Sequence, residues 1–237
     1  MSSSLVQLGP DAAATAVLAG TVVFVIGAVG LSRSFFRRHL GQRLSGDALE
    51  IASVLGAKVA SGLLFGFAGL LVLEATLPDA GALGWSLRWT GRALLVLAAA
   101  ATICLAMVVR AARAPAMRER YPEARVSRWS VSAHALDAIG WIVYLYGYEL
   151  LFRGALLFPL AHVLPLVAAL AIHTAIYALA HLDKPLLEIL GTLPMGFVFG
   201  WLALETQSIL PGAALHVAIA LTNSALCARS LVQRRGA

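Results

Sequence analysis

Stretches of about 17 to 25 residues with almost no charge recur along this chain, separated by links dense in arginine, and nothing else in the sequence narrows its possible folds so far. At 1.5 Å of rise per residue such a stretch crosses the hydrocarbon core of a bilayer as a helix. In lipid every backbone N–H and C=O must find its partner inside the protein, so only helices or a closed barrel can span. The stretches here are rich in Ala, Leu, Val and Gly and lack the apolar/polar alternation of barrel strands, which selects helices. Composition agrees: 60% of the 237 residues are hydrophobic and 13% are charged, against about a quarter charged in a typical globular domain. The expected fold class is an all-α membrane protein, a polytopic bundle.

Hydropathy places seven spans, at 12–31, 50–73, 91–109, 134–158, 163–182, 186–204 and 209–231. Alternate links differ in charge. The 32–49 link carries Arg33, Arg37, Arg38 and Arg43, the 110–133 link carries Arg110, Arg113, Arg118, Arg120, Arg125 and Arg128, and the tail carries Arg234 and Arg235. The links at 74–90, 159–162 and 205–208 offer Arg88 alone. The positive-inside rule therefore predicts an outside N-terminus and a cytoplasmic C-terminus in the cytoplasmic (inner) membrane. A formal net charge of +6 clustered beside apolar spans points to anionic lipid headgroups as partners, not to nucleic acid. Trp85, Trp89 and Trp129 fall at span ends, as an aromatic belt requires. Met1 to Asp11 has no basic stretch ahead of its apolar run, so the first span is expected to be retained. Cys104 and Cys227 lie within apolar spans without metal-ligand spacing and are expected to pack.

Chemistry-bearing residues concentrate in the second half. A charged side chain near mid-bilayer costs on the order of 3 kcal/mol, which makes each one a functional candidate. Glu149 and Arg153 stand four apart, on one helix face, where each can neutralise the other. A structural ion pair would look the same. His181 follows His173 and Tyr177 on one stripe, and His216 lies in the last span. Two imidazoles and one carboxylate, if they converge, can position and deprotonate a water or hold a metal such as zinc.

The order of these residues resembles the active-site half of the CPBP family (CAAX protease and bacteriocin-processing, or Abi) of intramembrane proteases. Glu149-Leu-Leu-Phe-Arg153-Gly154 is similar to the first motif of that family, two adjacent glutamates and then, after three intervening residues, an arginine. Tyr177-Ala-Leu-Ala-His181 resembles the second, and the run from Gly196 through Gly200, Trp201 and Thr206 to His216 resembles the third. Tyr148 stands where the family has its leading glutamate, the residue usually assigned to water activation. Ala220 stands where the family has a polar residue four after the last histidine, and Asn223 lies one turn further on the same face.

The resemblance implies a four-helix catalytic core at 134–231, preceded by transmembrane helices and a basic loop at 1–133 and followed by a short basic tail at 232–237. It implies an endopeptidase acting on a transmembrane or lipid-anchored peptide. In that reading Glu149 is the general base, tuned by Arg153, His181 and His216 orient water, Tyr148 donates to the intermediate, and Asn223 substitutes for the absent polar residue. If a metal is used, Glu149, His181 and His216 are its ligands; such a set suits zinc and serves a metal-free acid/base site equally well. Two alternatives remain open: a family member that binds transmembrane helices without cutting them, and a proton-coupled transporter. Straight helices would leave Glu149 at mid-depth, His181 near the inner end and His216 in the outer half. Convergence thus requires shortened or kinked helices, for which Pro159, Pro165, Pro185, Pro194 and Pro211 and Gly154, Gly196, Gly200 and Gly212 offer places.

Overall fold

The computed structural model describes residues 9–77, 84–87 and 89–235, the last four as backbone alone. Met1 to Leu8, Arg88 and the side chains of Arg234 and Arg235, on which part of the charge pattern rests, lie outside the described residues. In chain order the helices are α1 (Pro10–Gly30), α2 (Arg33–Leu40), α3 (Gly46–Thr76), α4 (Gly91–Ala111), α5 (Pro115–Arg120), α6 (Val131–Val163), α7 (Leu166–Leu179), α8 (Leu186–Thr206) and α9 (Leu210–Arg235). Six of them, α1, α3, α4, α6, α8 and α9, are long and apolar enough to cross a membrane, and α7 is a shorter apolar helix. The chain is an integral membrane protein with an all-α bundle fold.

Links of like charge share one end of the bundle. Ser127 of the 110–133 link donates through its backbone N–H to Asp47 at 2.8 Å, and the Arg125 backbone N–H reaches Glu50 at 3.2 Å. Glu50 in turn takes ion pairs from Arg33 and Arg37. At the other end the Gly84 N–H donates to the Gln207 carbonyl at 3.0 Å and the Ile209 N–H returns to Gly84 at 2.9 Å. Gly84 holds φ +91°, in the left-handed region that favours glycine, and so fits the backbone pairing there.

Two span boundaries differ from expectation, both because of proline. The expected link at 159–162 is helical, and α6 runs unbroken for 33 residues, about 50 Å. Pro159 has no N–H to give and its ring crowds the preceding turn. The chain accommodates it by widening to i→i+5 bonds over Leu150–Leu157 before resuming an α-helix at Phe158. The true break comes at Leu164, held extended (φ −120°, ψ 153°) by the Pro165 that follows. The span expected at 163–182 is helical only over Leu166–Leu179, 14 residues or about 21 Å. That is shorter than the roughly 30 Å hydrocarbon core.

Helix α3 lies along α6 at a glycine crossing. A Cβ on Gly147 would overlap the Gly62 carbonyl, and one on Gly62 would lie 2.5 Å from the Val143 carbonyl oxygen. Backbones this close gain dispersion in lipid, where hydrophobicity no longer drives helices together. Gly66, one turn along, has nothing nearer than 3.6 Å to such a Cβ. Gly147→Ala is therefore expected to destabilise the bundle by about 1–3 kcal/mol, and Gly66→Ala to be near neutral. Thermal melting in detergent measures both; equal melting temperatures for the pair would refute the crossing's importance.

Candidate active site

Glu149 is the last residue of α6 before the widened segment, and it is fully buried. Its Oε1 accepts from Arg153 Nη1 at 3.0 Å and from His216 Nδ1 at 2.8 Å. The first bond joins residues one turn apart; the second reaches across to α9, so three side chains from two helices meet at one oxygen. Glu149 Oε2 is buried and has no partner among the described residues. It faces Gly212, where a Cβ would sit 3.5 Å from that oxygen. Gly212 escaped the sequence reading as a site residue. The signal was present, because it lies four before His216 on the same helix face.

Arg153 is 0% exposed, yet its charge has more than one counterpart. The guanidinium lies 4.4 Å from the Tyr177 ring centroid and 5.6 Å from that of Phe199. A planar cation between a carboxylate and aromatic faces is the arrangement in which arginine tolerates burial.

His181 sits just beyond the C-terminus of α7, in the turn to α8, and its Nδ1 is 2.9 Å from the Tyr177 carbonyl. A carbonyl can only accept, so Nδ1 carries the proton and Nε2 keeps its lone pair. The carboxylate facing His216 Nδ1 likewise makes that nitrogen the donor. The two imidazoles share their neighbours: Tyr148 lies 6.0 Å from each ring, and Tyr177 4.6 Å from His181 and 6.4 Å from His216. His181, at the end of the short α7, and His216, near the beginning of α9, thus border the same two tyrosine rings.

Tyr148 is 2% exposed, its ring stacked on Phe152 at 4.3 Å and edged by Phe24 and Phe65. The hydroxyl is buried and has no partner among the described residues. Asn223 is placed elsewhere: its Oδ1 accepts from Cys227 Sγ at 3.6 Å, two turns beyond His216. Cys104 and Cys227 are both buried and free, as packing residues. His173, 0% exposed with both ring nitrogens unpartnered, stacks toward Tyr177 at 6.3 Å.

Among the described residues no three His, Cys, Asp or Glu side chains are gathered at metal-ligand spacing. The Glu149 oxygen nearest His216 is already shared with a guanidinium, which competes with any cation. The side chains as arranged do not fit a three-ligand zinc site.

Residues 131–222 match the family model described as Rce1-like, type II CAAX prenyl endopeptidase. Over this segment the chain is similar to that family. No curated protein and no solved structure matches the chain. The Rce1-like segment runs from the start of α6 into α9 and so contains Glu149, Arg153, His181 and His216 together. The matched family is one of CAAX prenyl endopeptidases. The helices before it supply walls of the same site: Phe24 of α1 and Phe65 of α3 pack on Tyr148.

Proposed function

We propose that this chain is an intramembrane endopeptidase that hydrolyses a peptide bond in a membrane-associated tail, a prenylated C-terminal segment being the first class to test. The reading rests chiefly on the Glu149 carboxyl, which is held by Arg153 and His216 through one oxygen while the other is unpartnered beside Gly212. In this scheme a water attacks the substrate carbonyl carbon and gives a proton to Glu149 Oε2. His181 accepts the water's other hydrogen bond through Nε2 and orients it, while His216, donating to Glu149 Oε1 through Nδ1, holds the base in place. The tetrahedral oxyanion takes a hydrogen bond from the Tyr148 hydroxyl. The C–N bond then breaks, and the proton held by Glu149 passes to the leaving amine. No step requires a bound cation. The catalytic core is 134–231, with the helices of 1–133 shielding it, and the Arg-rich end of the bundle faces the cytoplasm of an inner membrane with anionic headgroups. Asn223, hydrogen-bonded to Cys227, is left without a part in the scheme.

The test is the purified protein in liposomes offered a prenylated CAAX-type peptide and its unprenylated twin, with products identified by mass spectrometry. Cleavage that depends on the lipid anchor is expected. Retention of the peptide without cleavage would replace the protease by a binding protein. Proton-dependent flux in the same liposomes, with no cleavage, would replace it by a transporter.

A further inference from the structure

The turn between α7 and α8 carries His181, and it is gripped from outside the Rce1-like segment. The link after α4 ends α5 at Arg120 and continues as Tyr121 to Ser127 across the Arg-rich end of the bundle. Tyr121 is 4% exposed, and its hydroxyl lies 3.0 and 2.9 Å from the two oxygens of Glu188 in the first turn of α8. Burial first, and the neighbouring Glu188 charge next, push the Tyr121 phenol well above its usual range, so it remains a donor at neutral pH. One residue back, Arg120 pairs with Asp183 at 3.0 Å, two residues after His181. The two contacts bracket the turn.

The strap is itself anchored on α3. Lys58 lies 3.4 Å from Glu123 and 3.2 Å from Asp137 of α6. Burial would raise the Glu123 carboxyl, but Lys58, Lys184 and Arg120 together hold it below its ordinary range, so the anchor is charged at neutral pH. Arg33 Nη1 adds a bond to the Glu123 carbonyl at 3.0 Å. The strap thus joins a fixed point on α3 to the turn that presents His181, a short turn with one hydrogen-bonded imidazole.

We infer that Tyr121 is a positioning residue: by donating to Glu188, with Arg120 on Asp183 in support, it sets the turn that aims His181 at the Glu149–His216 pair. Of the two contacts the phenol–carboxylate bond dominates, because Asp183 is 64% exposed and its ion pair is screened by water and salt. The phenol–carboxylate bond, part-buried with its donor 4% exposed, is screened less. This role rests on the protease reading for its kinetic consequence but not for its structural one.

Tyr121→Phe removes a single oxygen. In full-length protein in liposomes it is expected to lower kcat about tenfold at little-changed KM, and to speed backbone amide exchange in residues 178–185 while leaving α3 unaffected. Glu188→Leu is expected to do the same, and Glu188→Gln, which keeps an acceptor for the phenol, to fall between it and wild type. Unaltered kcat and exchange in Tyr121→Phe would overturn the inference. So would exchange rising equally throughout the bundle, which marks general loosening, or a gain in kcat, which marks the strap as a plug. If the wild type cleaves nothing, the protease reading fails, and the local exchange in Tyr121→Phe and Glu188→Leu still decides whether the strap sets the turn.

Discussion

Glu149→Gln is expected to lower turnover of a membrane peptide by about 10²- to 10⁴-fold, the range over which a positioned general base contributes. The substitution is nearly isosteric. Its carbonyl oxygen can still accept from Arg153 and His216, as Glu149 Oε1 does. The change falls on the second oxygen, where an amide NH₂ replaces the acceptor that faces Gly212. Proton transfer there becomes impossible while substrate binding is kept, so the loss belongs in kcat and not in KM. Single-turnover cleavage in liposomes measures it. Undiminished turnover would remove Glu149 from the mechanism and leave the Glu149–Arg153 pair a structural feature.

Arg153→Met is expected to cost the bundle about 3–5 kcal/mol, because it strips a fully buried carboxylate of its cation. Both members are 0% exposed, so neither solvent nor salt can replace the lost partner. Arg153→Lys is expected to recover only part of this. An ammonium is a point charge without the plane that lies 4.4 Å from the Tyr177 ring centroid. The double variant Glu149→Leu with Arg153→Met should be more stable than Arg153→Met alone, since removing both charges of a buried pair is often nearly neutral. Unfolding of wild type, Glu149→Leu, Arg153→Met and the double variant in detergent forms a double-mutant cycle. A melting temperature for Arg153→Met within a degree or so of wild type would show that the pair is not the internal counterion arrangement its burial implies.

Much of the fold was readable from the chain. Backbone hydrogen bonds cannot be left open in lipid, so apolar runs of spanning length had to become helices, and six of them did. The alternation of arginine between links foretold which links would share an end, and Asp47, Glu50, Ser127 and Arg125 now tie two of them together. Glu149 and Arg153 were legible as a pair because a turn of helix brings i and i+4 together. The link expected at 159–162 was misplaced because Pro159 reads as a break, whereas a widened turn upstream absorbs it. The strap was invisible for a different reason. Tyr121 and Glu188 are 67 residues apart, and nothing in the neighbourhood of either names the other.

The kinds of side chain available for chemistry, and the order in which they occur, were determined by the residues alone: one buried acid with its own cation, then two imidazoles on later helices. That Glu149 meets His216, and that both imidazoles border the Tyr148 and Tyr177 rings, was decided by tertiary structure. It depends on where α7 stops, on the glycines that let α3 and α9 approach α6, and on an aromatic cluster around Tyr148 drawn from α1, α3 and α6. Local sequence sets the reach of a helix turn, but distance between helices is a sum over packing contacts far apart in the chain, and that sum exists only once the bundle has closed.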